Sequence, residues 1–152
     1  MGLFDKNGKI DEIQETTETA NDEKIVKMPE RKPFQTWTVD GEAYRLKLDT
    51  AAISELEQKF KTNLMNVMGT GNSGMPALTV MLDVTHAAMR KFHHGIKRAD
   101  LNALFDRYVE EGGSQLNFYT EIYMGIFTVS GFFSESLSDQ MEGALEEAKE
   151  IL

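Results

Sequence analysis

Residues 114–130, SQLNFYTEIYMGIFTVS, carry one charged side chain, Glu121, in 17 positions. A helix that is apolar over most of its circumference must be covered on most sides. Such a helix either forms the centre of a core or keeps one side as a binding surface, and the rest of the chain has to supply what surrounds it. A chain of 152 residues is long enough for one such core and too short for two.

The clearest local signal lies upstream, in FQTWTVDGEAYRLKL (34–48). Strand formers Phe34, Trp37, Val39 and then Tyr44, Leu46, Leu48 flank Asp40-Gly41, a dipeptide that supplies the positive φ angles of a type I′ turn. This predicts a β-hairpin. The segments that follow have helical periodicity. Thr50 is placed to cap a helix near 51–61, with Ile53, Leu56 and Phe60 on one face. Pro76 suits the first turn of a helix near 76–93, which ends with His93 and His94 close to the last carbonyls and Gly95 as a left-handed cap.

A third helix, near 99–111, places Leu101, Leu104, Phe105, Tyr108 and Val109 on one stripe and stops at Gly112-Gly113. Its last residues, Glu110-Glu111, are disfavoured at a helix C-terminus by about 0.3–1 kcal/mol per charge. The start of the next helix, at Ser114, is one source of compensation. The fifth helix, near 137–151, has a narrow stripe of Leu137, Met141 and Leu145 on an acidic background, suited to docking on its own domain or on a partner.

The expected fold is therefore mainly α: about five helices preceded by an N-terminal β-hairpin within 34–152, after an acidic arm at 1–33. That arm has too few large apolar groups to offset the entropy of ordering, so it is expected to be disordered. The net charge of −9 resides at the two ends, since residues 31–133 hold eleven acids and eleven bases. Nucleic-acid binding needs a basic patch, so no nucleic-acid partner is expected.

Cysteine is absent, which excludes disulfides, thiol chemistry and Cys-ligated zinc. No apolar run reaches the roughly 18 residues of a membrane span, so no membrane partner is expected. The start, MGLFDKNGKI, lacks a signal-peptide apolar region, and Lys6 stands where myristoylation needs Ser or Thr. A cytoplasmic location is the expectation.

Several strings imitate ligand sites. GTGNSG (69–74) fits G-x-G-x-x-G, but no strand enters it, no acid follows about 20 residues on, and Met75 stands where a Walker lysine belongs. Its glycines are expected to give slack between two helices. DKNGKIDE (5–12) resembles the middle of a calcium-binding EF-hand loop but lacks the first and twelfth ligands. His86 and His93 would be separated by about 10.5 Å of helical rise, too far for one zinc. Without a base-nucleophile pairing, no enzymatic activity, cofactor or metal is expected.

Taken together, FQTWTVDGEAYRLKL, KFHHGIKRADLNALFDRYVEEGGS and a hydrophobic helix ending VSGFF resemble, in that order over 34–133, the tail assembly chaperones of long-tailed (siphovirus-type) bacteriophages of Gram-positive hosts. The most characteristic residues are FHHGI with His94 and Gly95, then Asp100, Tyr108, Gly112 and Gly113. The acidic arm departs from the usual family start, where the hairpin lies close to the initiator Met.

The resemblance implies a non-enzymatic helical protein of the host cytoplasm, absent from the mature virion. Such a protein binds and solubilises the tape-measure protein and helps recruit tail-tube subunits. Expected partner-binding residues are Phe118, Ile122, Val129, Phe132, Phe133, Leu137, Met141 and Leu145, and self-association into a homo-oligomer stays open. A structural tail-completion or connector subunit of the virion is the competing expectation.

Overall fold

At the tip of the hairpin both turn residues have positive φ, 55° at Asp40 and 80° at Gly41, as a two-residue type I′ turn requires. In this computed structural model, which describes residues 32–69, 74–134, 137, 140 and 142–147, the turn joins β1 (Gln35–Val39) to β2 (Glu42–Leu46). The strands are antiparallel, with Trp37 opposite Tyr44 and Val39 opposite Glu42. Alternation puts Trp37, Val39 and Leu46 in the core and leaves Thr36, Thr38, Ala43 and Arg45 exposed. The arm expected over 1–33 lies outside the described residues except for Lys32 and Pro33.

The outer edge of β2 is closed by other elements. Arg45 N–H donates to His93 Nε2 at 3.0 Å, and just past the strand Lys47 N–H donates to the Ala88 carbonyl at 3.0 Å. Farther on, Leu48 N–H donates to Ser130 Oγ at 2.9 Å. A two-stranded sheet has little stability alone, and these bonds attach it to the helices.

Helix α1 (Thr50–Phe60) is capped by Asp49, whose carboxylate accepts from Ala52 N–H at 2.9 Å, rather than by Thr50. It ends at Lys61, a non-glycine residue with φ of 56°. A single 3₁₀ turn, Leu64–Val67, follows, with its Leu64 N–H bonded to the Glu57 carboxylate at 2.8 Å.

Helix α2 (Leu78–Met89) is shorter than expected at both ends. Pro76 precedes the N-cap Ala77 instead of entering the first turn. Gly95 does not have positive φ and forms no left-handed cap, because the helix has already ended at Met89. The histidines serve other contacts: His93 receives the β2 bond, and a His86 ring nitrogen lies 3.0 Å from the Ile96 carbonyl. Asp83 takes Arg98 at 2.7 Å and Lys59 at 3.1 Å, linking α2 to α1 and to the approach to the next helix.

Helix α3 (Asp100–Glu110) buries Leu101 and Phe105 and half-buries Leu104 and Tyr108. Val109, expected on the core stripe, is 46% exposed. The helix closes with a Schellman motif: Gly113 N–H donates to the Tyr108 carbonyl and Gly112 N–H to the Val109 carbonyl, with φ of 107° at Gly112. A Cβ on Gly113 would fall on the Tyr108 ring.

The carboxylates at the end of α3 are not compensated by the following helix, whose N-cap Ser114 accepts from Asn117 N–H. Glu111 instead receives Asp40 N–H at 3.0 Å and Arg107 Nε at 2.9 Å.

Three consecutive segments, Gln115–Asn117, a π-helical Phe118–Tyr123 and Met124–Val129, make one helical run, α4 (115–129). Residues 122–129 are all buried, and so is Phe118, placing α4 at the centre of the core. Gly125 abuts the Gln35 side chain so closely that a Cβ there has no room. Around Phe118 the rings of Trp37, Phe105 and Tyr108 pack edge to face at centroid distances of 5.0, 5.4 and 5.9 Å, a geometry that adds attraction beyond burial. Helical residues 142–147 form α5, with Leu145 against this core. The fold is mainly α with an N-terminal antiparallel hairpin, as expected.

Candidate partner-binding groove

The expected partner-binding residues divide by burial. Phe118, Ile122, Val129 and Phe133 are buried, at 0, 6, 2 and 8% exposure. Presenting them to a partner would require opening the core, so the apolar circumference of α4 is internal packing. Phe132 and Leu145 are half-buried against that core. Leu137, 42% exposed, is accessible, and Met141 lies outside the described residues.

Four of the residues that carry the resemblance, Asp100, Tyr108, Gly112 and Gly113, have structural roles. Asp100 opens α3 and accepts Lys97 N–H at 2.8 Å. Tyr108 packs between Trp37 and Phe118, and Gly112 and Gly113 close the helix. Burial, with Glu121 adding repulsion, pushes the Tyr108 hydroxyl up to about 12. His94 and Gly95 are exposed on the turn between α2 and α3.

Of the GTGNSG glycines, Gly69 and Gly74 lie within the described residues. A 3₁₀ turn, not a strand, enters the string, and α2 begins only at Leu78. Gly69, with φ of 88°, lies so close to the Pro76 ring and the Gly74 carbonyl that only glycine fits. The Tyr119 hydroxyl donates to the Gly69 carbonyl at 2.8 Å, and the Tyr123 hydroxyl donates to that of Val67. The two described ends of the string are thus in contact and one is latched to α4. Residues 70–73 and the EF-hand-like string at 5–12 lie outside the described residues.

An accessible apolar surface occurs elsewhere. A groove of about 500 Å³ runs between the hairpin and one face of α3. On α3 it is lined by Asp100, Ala103, Leu104 and Arg107, spaced i, i+3, i+4, i+7, a face about 10.5 Å or two turns long. The hairpin side consists of Val39, Asp40, Glu42 and Tyr44, and Ile96 is the remaining lining residue. The lining combines the apolar Val39, Tyr44, Ile96, Ala103 and Leu104 with three carboxylates and one guanidinium.

That guanidinium is already engaged. Arg107 lies 3.0 Å from Asp40, 2.9 Å from Glu111 and 3.6 Å from Glu110. Glu42 has no cationic partner among the described residues. Burial first, and then the charges of Glu42 and Asp40, raise the Tyr44 hydroxyl above its usual value. The groove therefore combines an apolar base with negative potential.

Of these lining residues Val39, Asp40, Tyr44, Asp100 and Leu104 stand out in the sequence, for other reasons. The available signal was the second stripe on α3, 100/103/104/107, beside the core-facing 101/105/108. A further hollow, of about 550 Å³ between α1 and the end of α2, is lined by Asp49, Glu55, Arg90, Lys91 and His94 among others, with Arg90 tied to Glu55 at 2.6 Å. Among the described residues no group of three His, Cys, Asp or Glu could hold a metal ion, and no helix is long and apolar enough to cross a membrane. No family model, no curated protein and no solved structure matches the chain.

Proposed function

We propose that this protein is a tail assembly chaperone of a long-tailed bacteriophage. It binds the tape-measure protein in the host cytoplasm, keeps it soluble, and yields it to tail-tube subunits as the tube polymerises. The reading starts from the ordered resemblance over 34–133, and a helical protein with a hairpin is compatible with it. The observation that carries it furthest is the groove between the hairpin and α3: an accessible apolar floor two helical turns long suits a helical protein partner better than a small substrate. The role is non-enzymatic binding, with the chaperone absent from the finished particle.

Co-expression with a tape-measure protein of the same phage is the test. The expected result is that the tape-measure protein becomes soluble and co-purifies with this chain. An insoluble tape-measure protein that never co-purifies sinks the reading. Mass spectrometry of purified virions separates it from a structural tail-completion or connector subunit, because only the structural subunit persists in mature particles.

A further inference from the structure

The groove between the hairpin and α3 selects two different features of an occupant. Its floor, with Tyr44, Ile96 and Leu104 half-buried, leaves apolar surface for a side chain to cover. Its rim repels anions, since Arg107 is shared among Asp40, Glu110 and Glu111 while Glu42 has no cationic partner among the described residues. A strand added along β2 would have to displace the bond from Arg45 N–H to His93. A second copy is disfavoured as well, because the chain carries −9 and the rim is of the same sign.

We infer that this groove docks a two-turn amphipathic helix from a partner, with apolar anchors seated over Tyr44, Ile96 and Leu104 and Lys or Arg side chains meeting Glu42, Asp40 and Asp100. The inference deepens the proposed chaperone reading by giving the partner's chemistry, and rests on that reading only for the partner's name. The helix-in-groove mode supplies affinity through the anchors and orientation through the charges. The α3 face of about two turns sets how much of the partner is held.

The full chain is titrated against a fluorescent helical peptide of about 18 residues with a leucine stripe and a lysine polar face, and against the same peptide with glutamates for lysines. The lysine peptide is expected to bind roughly tenfold or more tighter at low salt, with that advantage shrinking as salt rises. Ala103→Arg, at an exposed helix position, should block binding without unfolding the chain, as circular dichroism checks. Glu42→Lys should remove the preference for lysine. Equal affinity for both peptides, or binding unchanged by both variants, overturns the inference. So does a dimer in sedimentation that Ala103→Arg dissolves, since the occupant is then a second copy.

Co-expression keeps this result separate from the chaperone reading. If Ala103→Arg still solubilises the tape-measure protein, the groove assignment fails and the reading stands. If the wild-type chain binds the lysine peptide in the groove yet never retains the tape-measure protein, the groove stands and the reading fails.

Discussion

The Arg107 guanidinium lies 3.0 Å from the Asp40 carboxylate, tying the end of α3 to the tip of a hairpin 67 residues earlier in the chain. The same arginine holds Glu111, which in turn accepts Asp40 N–H. One residue thus partly offsets three carboxylates and ties the hairpin tip to α3.

Arg107→Ala should therefore lower the thermal unfolding midpoint modestly, because exposed ion pairs contribute little but the carboxylates left behind repel one another. The loss should shrink as salt screens that repulsion. A drop of the same size at all ionic strengths would mean that the arginine acts through packing alone. Asp40→Asn in the Arg107→Ala background should cost less than in the wild type, since the partner is already gone.

Glycines in the fold have opposite tolerances. Gly113→Ala should destabilise by about 1–3 kcal/mol, because the new Cβ lands on the Tyr108 ring within a packed aromatic cluster. Gly143→Ala, in α5 with open space around its Cβ, should stabilise by roughly 0.4–1 kcal/mol by restricting the unfolded chain and improving helix propensity. Urea unfolding of the two variants should move the midpoint in opposite directions.

Lys61 ends α1 with φ of 56°, a conformation that an L residue adopts at a cost of about 1–2 kcal/mol and glycine adopts freely. Against this, glycine loses about 0.5–1 kcal/mol more backbone entropy on folding. Lys61→Gly should raise stability by a few tenths to about 1 kcal/mol on that balance, read as a higher melting temperature. An unchanged or lower value would show that the lysine side chain contributes packing along α1.

Alkaline stability should depend on buried tyrosines. Burial, reinforced by Glu121, raises Tyr108 from 10.0 to about 12. A folded pKa above the unfolded one means that the native state keeps its proton longer. The associated stability is complete below about pH 10 and is lost as pH rises toward about 12. Tyr119 and Tyr123 shift in the same direction through burial. Unfolding followed by the single tryptophan should therefore weaken steadily above pH 10, and Tyr108→Phe should flatten part of that slope even if it changes stability at neutral pH.

Short-range chemistry was largely readable from the chain. Asp40-Gly41 encodes its turn because only two-residue loops with positive φ match the twist of paired strands. Gly112-Gly113 encodes the end of α3 through the Schellman bonds, and the single charge of 114–130 marks the central helix. These features depend on a few neighbouring residues, so composition and spacing suffice to find them.

Tertiary structure decided the rest. The sequence determined a mainly α chain with one hairpin and a buried fourth helix; which side chains remain outside that core depended on distant partners. Helix α2 ends early, and His93 turns from a helix cap into the acceptor for Arg45, 48 residues away. Glu111 is satisfied by Asp40 rather than by the helix beside it, and Phe118, Ile122, Val129 and Phe133 are consumed by packing. The groove itself exists only because the hairpin and α3 meet along faces that look unremarkable separately. Periodicity reports which face of an element is apolar, while the partner of each face is set by contacts across the fold that no local pattern encodes.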